Sequence, residues 1–121
     1  MLSKFIKQHT ELCTDTVFLV GNGSSRESIH LEKLRPYGTI FGCNALYIDF
    51  TPDILAAIDN NMILDIVKSK YPENNIFLVP NGRKTGSYPV LTFKSATLKT
   101  TGGFLMKVIG KEFKPKICYM L

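Results

Sequence analysis

Short runs of β-branched and aromatic residues alternate along this chain with stretches of helical periodicity. Unbroken apolar runs of four to eight residues are typical of strands that are buried on both faces of a sheet. Runs of this kind predict strands at residues 16–20, 39–43, 53–58 and 76–79, with a small extra strand at 90–93 and a final strand at 117–121.

Helices are predicted between these runs. In residues 61–71, apolar side chains recur at spacings of one, three and four, as on an amphipathic helix: Met62, Ile63, Ile66 and Val67. Ser24 and Glu27 have the spacing of a capping box, which predicts a short helix that Pro36 and Gly38 end. A last helix covers 104–109. This order predicts an α/β fold, a Rossmann-like three-layer sandwich whose mostly parallel sheet has about five strands.

The composition fits one packed domain over residues 1–121. Hydrophobic residues make up 45% and charged residues 21% of the chain, which excludes a disordered or collagen-like protein. Apolar stretches of about five residues are too short to span a membrane, and the first fifteen residues lack a signal-peptide core, so we expect a cytoplasmic protein. The three cysteines form no CxxC pair, which favours reduced, mostly buried thiols and no metal site.

Positive charge is concentrated in the second half of the chain. Residues 1–60 carry five Lys or Arg and seven Asp or Glu, whereas residues 61–121 carry ten and three, for a net charge of +5. This half is expected to present a face that attracts phosphates. Binding to nucleic acid is disfavoured, because the sequence lacks interleaved aromatic and basic residues of the RRM kind.

A glycine-rich turn follows the first predicted strand: Gly21, Asn22, Gly23, Ser24 and Ser25. Such a turn lets backbone N–H groups and a helix start point at a phosphate. The dinucleotide fingerprint is incomplete, because Arg26 stands where the third glycine belongs, so NAD is disfavoured. The alternative is a turn that serves only the packing of strand and helix.

Polar residues follow other predicted strands as well. Asn44 suits a base or sugar, although an ordinary turn asparagine is the alternative. Asp59 suits a ribose, a sugar hydroxyl or a metal, and Thr101 and Gly102 suit an anion at a helix start, with helix capping as the alternative for each. Because the carboxyl ends of parallel strands meet in one crevice, these residues and the glycine turn predict one nucleotide-binding site.

Four blocks of the chain resemble bacterial sialyltransferases that modify lipooligosaccharide: residues 20–25, 31–34, 40–47 and 100–121. The first and third blocks match the family's G-N-G-P-S loop and C-N-x-x-Y segment, with Ser24 in place of the family's proline. Pro52-Asp53 and Ile58-Asp59 are more similar to the pterin-pyrophosphokinase-like domain of motility accessory factors. Phage and bacterial proteins share this pattern.

The resemblance implies binding of a CMP-type nucleotide or nucleotide sugar. Asn22, Ser24 and Asn44 would contact the cytidine nucleotide, and Thr101 and Gly102 would hold its base or ribose. The family's histidine base and phosphate-binding tyrosines would lie beyond residue 121, so the sequence predicts a truncated domain with no assigned catalytic residue, metal or cofactor.

The alternative function is that of a noncatalytic interaction protein. Its basic second half would bind an acidic protein or nucleic acid, and its apolar last strand would pair with a protein partner or a second copy.

Overall fold

A computed structural model describes residues 2–21, 28–86, 89–95 and 99–121 of the chain. Within these ranges the helices are α1 (Leu2–Gln8), α2 (Ser28–Glu32), α3 (Asn60–Lys68) and α4 (Thr101–Val108). The strands are β1 (Thr16–Val20), β2 (Thr39–Cys43), β3 (Ile54–Ala56), β4 (Phe77–Pro80), β5 (Leu91–Phe93) and β6 (Ile117–Met120). None of the described helices is both long enough and apolar enough to cross a membrane.

All six strands belong to one parallel sheet, in the order β5-β4-β3-β2-β1-β6. The chain therefore steps outward from β1 to β5 and then returns through α4 to place β6 on the other side of β1. This arrangement confirms the predicted α/β class, with a sheet that is wholly parallel and one strand larger than expected. Parallel neighbours also put every strand's carboxyl end at the same edge.

Helices cover both faces of the sheet. Side chains alternate along β1, with Val17 and Leu19 on one face and Phe18 and Val20 on the other. The first face is covered by α1, α4 and the turn after α4, through Leu2, Ile6, Phe104, Leu105, Val108 and Phe113. The second face is covered by α2, α3 and the segment after β2, through Leu31, Leu46, Phe50, Ile63 and Ile66. Burial on both faces explains why the sequences of the inner strands, β1 to β4, are continuous apolar runs.

One glycine allows a close approach of the chain at the amino end of the sheet. A Cβ atom on Gly38 would lie 2.0 Å from the carbonyl oxygen of Thr16, a backbone atom at the start of β1. No side chain fits in that space, so the entry into β2 requires glycine.

Some elements differ from the predictions. Strand β3 is shorter than residues 53–58, because Asp53 uses its side chain to accept a hydrogen bond from the Ile40 amide before the strand begins. Helix α1 was not predicted, although buried Leu2 and Ile6 stand four residues apart. The expected capping box at Ser24 lies outside the described residues.

The prediction of buried thiols was wrong for one cysteine. Cys13 is exposed, Cys118 is half-buried and Cys43 is buried. Cys13 directly follows a short turn, before β1 begins, and so does not lie within a buried strand. The apolar residue beside it in the sequence, Leu12, was therefore a poor guide to its burial. Burial raises the pKa of the Cys118 thiol.

Candidate functional site

An open cleft of about 610 Å³ lies between the starts of α3 and α4. These helices pack on opposite faces of the sheet, so the segments leading into them diverge and leave a space beyond the carboxyl ends of β2 and β3. The cleft is lined by Asn44, Ile58, Asp59, Asn61, Met62, Asp65, Lys99, Thr100 and Thr101. Three residues predicted for the nucleotide site, Asn44, Asp59 and Thr101, are thus brought together.

A hydrogen bond between side chains joins the two sides of this cleft. The Thr101 hydroxyl donates to Oδ1 of Asn44 at 3.1 Å. Thr101 is only 7% exposed, so this contact anchors the start of α4 against the residue that follows β2. Asn44 has a φ of 53°, a left-handed conformation that asparagine tolerates better than most residues. Its turn-forming role and its place in the cleft are therefore compatible.

Both helix starts in the cleft are capped from within the chain. Oδ1 of Asp59 accepts hydrogen bonds from the amides of Asn61 at 2.7 Å and Met62 at 3.4 Å. The Thr100 hydroxyl accepts from the Gly103 amide at 2.9 Å. Helix capping, the alternative considered for these residues, is what both side chains do. They also border the cleft, where the positive ends of two helix dipoles favour an anion.

Gly21 is the described part of the predicted glycine turn. Val20 lies beside Gly42 in the register of β1 and β2, so the chain leaves β1 on the side where Asn44 follows β2. The Gly21 amide donates to the carbonyl oxygen of Leu121 at 3.1 Å. Any anion contact in this turn must therefore use amides after Gly21. Asn22, Gly23, Ser24 and Ser25 lie outside the described residues.

The two walls of the cleft carry opposite charges. Asp59 and Asp65 lie on the α3 side, and Lys99 lies on the α4 side. Beside the cleft, Nε of Arg83 donates to the carbonyl oxygen of Ile58 at 2.7 Å and ties the loop after β4 to the end of β3. The cleft can accept an anion on one side and hydroxyl or amino groups on the other.

Other polar candidates have packing roles. Nδ1 of His9 lies 2.9 Å from the Phe5 carbonyl oxygen, and the His9 ring stacks on the Phe5 ring. The Tyr47 ring packs edge-on against Tyr71, with 5.4 Å between ring centres. Neither side chain lines the cleft, so no general base is assigned from them.

The sequence prediction missed residues contributed by α3. Asn61, Met62 and Asp65 line the cleft, while Ile63 and Ile66 of the same helix are buried against the sheet. The signal was present, because Asn61 and Asp65 stand four residues apart just after Asp59 and therefore share a helix face.

A smaller hollow of about 310 Å³ lies beside the amino ends of β4 and β5. Its lining contains no charged residue: Phe5, Pro72, Asn75, Ile76, Phe77, Pro89, Val90 and Leu91. The described residues also contain no group of three or more His, Cys, Asp or Glu side chains placed to hold a metal ion. The cleft at the carboxyl edge is the candidate site because it brings Asn44, Asp59 and Thr101 together.

Comparison with family models, curated proteins and solved structures finds no match to this chain.

Proposed function

We propose that this protein binds a nucleotide or nucleotide sugar, of the CMP type, in the cleft at the carboxyl edge of its sheet. The observation that carries this proposal is the hydrogen bond from Thr101 to Asn44. It supports a site in which residues after β2, after β3 and before α4 act on one ligand. A cytoplasmic location, where nucleotides are available, is part of the same proposal.

The predicted roles follow the order of the strands. The amides after Gly21, in the turn that ends at Ser25, would hold phosphate, Asn44 would contact the base or sugar, and Asp59 would accept from sugar hydroxyls. Thr101 and Gly102 would complete the site at the start of α4. Because no general base is assigned, the proposal concerns binding, and the relation to glycosyltransferases is a resemblance of sequence motifs with no reaction assigned to it.

Isothermal titration calorimetry tests the proposal with CMP, UDP and their sugar conjugates at concentrations up to millimolar. We expect binding, and we expect Thr101→Val to weaken it about fivefold, because the loss of one hydrogen bond costs about 1 kcal/mol. Thr101→Ser keeps the hydroxyl and is the matched control. Absence of binding by a folded wild-type protein to every nucleotide would overturn the proposal.

The outer edge of β6 favours a second candidate, a protein-interaction role. Ile117, Tyr119 and Met120 are 49%, 50% and 65% exposed. Leu121 exchanges hydrogen bonds with β1 through both its N–H and its C=O, so the alternate residues Cys118 and Met120 direct their backbone groups outward. An apolar edge of this kind can pair with a strand from a partner or a second copy.

Analytical ultracentrifugation distinguishes this second candidate. Self-association that Tyr119→Lys abolishes would support pairing through β6. A monomer at all concentrations, with no change in the variant, would contradict pairing with a second copy.

A further inference from the structure

Eight of the ten basic residues of the second half lie in two separate places, and the other two, Lys68 and Lys70, lie at or just after the end of α3. Residues 74–111 contain six Lys or Arg and no Asp or Glu. Five of these six residues either follow the carboxyl ends of β4 and β5 or lie just before or within α4. We call these five the basic corner: Arg83, Lys84, Lys94, Lys99 and Lys107. Lys111, Lys114 and Lys116 come after α4, before β6 begins at the opposite end of the sheet.

The basic corner is continuous with the cleft. Lys99 lines the cleft itself, and Arg83 is bonded to the carbonyl oxygen of Ile58, another lining residue. The Asn81 amide donates to the Phe93 carbonyl oxygen at 3.2 Å, which holds the segments carrying Lys84 and Lys94 side by side. Nζ of Lys107 lies 3.5 Å from the Ser95 hydroxyl, so α4 brings its lysine to the same segment.

Four of the five cations in the basic corner have no acidic partner among the described residues. Arg83, Lys84, Lys94 and Lys99 form no ion pair with any described residue, whereas Lys116 lies 3.8 Å from Asp15. The four lysines of the basic corner, Lys84, Lys94, Lys99 and Lys107, are exposed. The carboxylates of Asp59 and Asp65 lie on the other wall of the cleft. The corner therefore presents positive charge beside the mouth of the cleft.

We propose that the basic corner binds the anionic group of a second ligand, a saccharide that carries phosphate or carboxylate. The inference rests on the proposed function, because a saccharide held at the basic corner would lie beside the nucleotide sugar in the cleft. Four of the five cations are lysines, which act as point charges rather than as planar forks. The described aromatic residues between 80 and 111 are Phe93 and Phe104, which pack against each other, so no described ring is available to stack on a nucleic-acid base.

The experiment is an NMR titration of the ¹⁵N-labelled protein with glucose 6-phosphate, glucuronate and neutral glucose, each with and without CMP. The two acids separate a phosphate ligand from a carboxylate ligand. We compare the wild type with Lys84→Gln/Lys94→Gln in the corner and with Lys111→Gln/Lys116→Gln away from it. Both double variants lower the net charge from +5 to +3.

We expect one of the acids to bind at least fivefold more tightly than glucose and to shift amides near the corner. The corner variant should lose most of this preference, because it removes two of the five cations of the basic corner, whereas the distal variant should keep it. Equal affinity for acid and neutral sugars, or equal losses in both variants, would overturn the inference. Tighter, corner-dependent binding of a 20-base-pair DNA duplex would overturn it in favour of nucleic acid.

The two proposals fail separately. If CMP binds and the acids show no preference over glucose, the basic corner has no such role and the nucleotide site stands. If CMP does not bind at all, the proposed function fails, and corner-dependent binding of the acid alone would still identify the anion site.

Discussion

The two ends of β3 each carry an aspartate, and the chain uses them differently. Asp53, before the strand, accepts the Ile40 amide through Oδ2 at 2.7 Å and lies 3.5 Å from the Arg35 guanidinium through Oδ1. Asp59, after the strand, caps α3 and borders the open cleft. Both carboxylates have a structural role, but only the second also lines the cleft proposed to hold the nucleotide.

Other charged side chains at the amino end of the sheet also bond within the protein, as Asp53 does. Arg35 donates to the Glu32 carboxylate at 2.8 Å and to the Thr51 carbonyl oxygen, and its guanidinium carbon lies 4.7 Å from the centre of the Phe50 ring. This hydrogen bonding raises the pKa of Arg35 and lowers that of Glu32. Polar groups there bond to one another. Changes at the amino end should therefore alter stability, and changes at the carboxyl end should alter binding.

A pair of glycines gives the largest expected contrast. Gly38→Ala places a Cβ 2.0 Å from the Thr16 carbonyl oxygen, and we expect it to lower the free energy of unfolding by about 3 kcal/mol or more. Gly102→Ala meets no atom within 4 Å, and alanine favours a helix, so stability should rise by about 0.5 kcal/mol. Urea denaturation measures both. A stable Gly38→Ala protein would refute the close approach of the chain at the amino end.

The two aspartates give a contrast of intermediate size. Asp53→Ala leaves the Ile40 amide without its acceptor and should cost about 2 kcal/mol of stability. Asp59→Asn keeps a good capping residue, so its stability should change by less than about 0.5 kcal/mol, while its affinity for nucleotide should fall. Urea denaturation and calorimetry on the same samples compare the two.

The opposite pattern would refute this division. A nucleotide affinity that falls in folded Asp53→Ala, together with an unchanged affinity in Asp59→Asn, would place the ligand at the amino end.

The smallest expected effect concerns Tyr71, which follows α3 at the end away from the cleft. Burial raises its pKa from 10.0 to about 12, with nearby Arg35 acting in the opposite direction. The unfolded chain therefore loses this proton first, so the phenol's contribution to stability is complete below pH 10 and is lost as the pH rises towards 12.

Tyr71→Phe isolates this effect. The hydroxyl finds no hydrogen-bond partner among the described residues, so at pH 8 the variant should be at least as stable as the wild type. Between pH 9 and pH 11, the wild type should lose about 1 kcal/mol more stability than the variant. Parallel losses measured by urea denaturation at the two pH values would contradict burial of the hydroxyl.

The strands were predictable because most are continuous apolar runs, as β1 and β2 illustrate. Burial on both faces leaves such a run in the sequence whatever the strand's neighbours are. Strand order was not predictable, because the pairing of β6 with β1 depends on the long return through α4 rather than on any local pattern. The end of β3 was overestimated by two residues, since the strand ends at Ala56 and only the Ala57 amide still donates to β4, at 3.3 Å from the Leu78 carbonyl oxygen, before Asp59 caps α3.

The candidate site was predictable where a polar residue directly follows a strand, as at Asn44. The geometric rule for parallel sheets brings such residues to one edge. The contact between Asn44 and Thr101 depends on how α4 crosses the sheet, and the bond from Arg83 to Ile58 depends on the path of a loop. Neither leaves a pattern in the sequence.

The most direct test of the central claim is a ¹H–¹⁵N correlation spectrum recorded during titration with CMP. Shifts should concentrate at the amides of Asn44, Asp59, Thr101 and Gly102 and at Gly21 to Ser25, with the amides of Thr14, Thr39 and Asp53 unchanged. Shifts confined to the amino end, or a spectrum unchanged at millimolar CMP, would contradict a nucleotide site in the cleft.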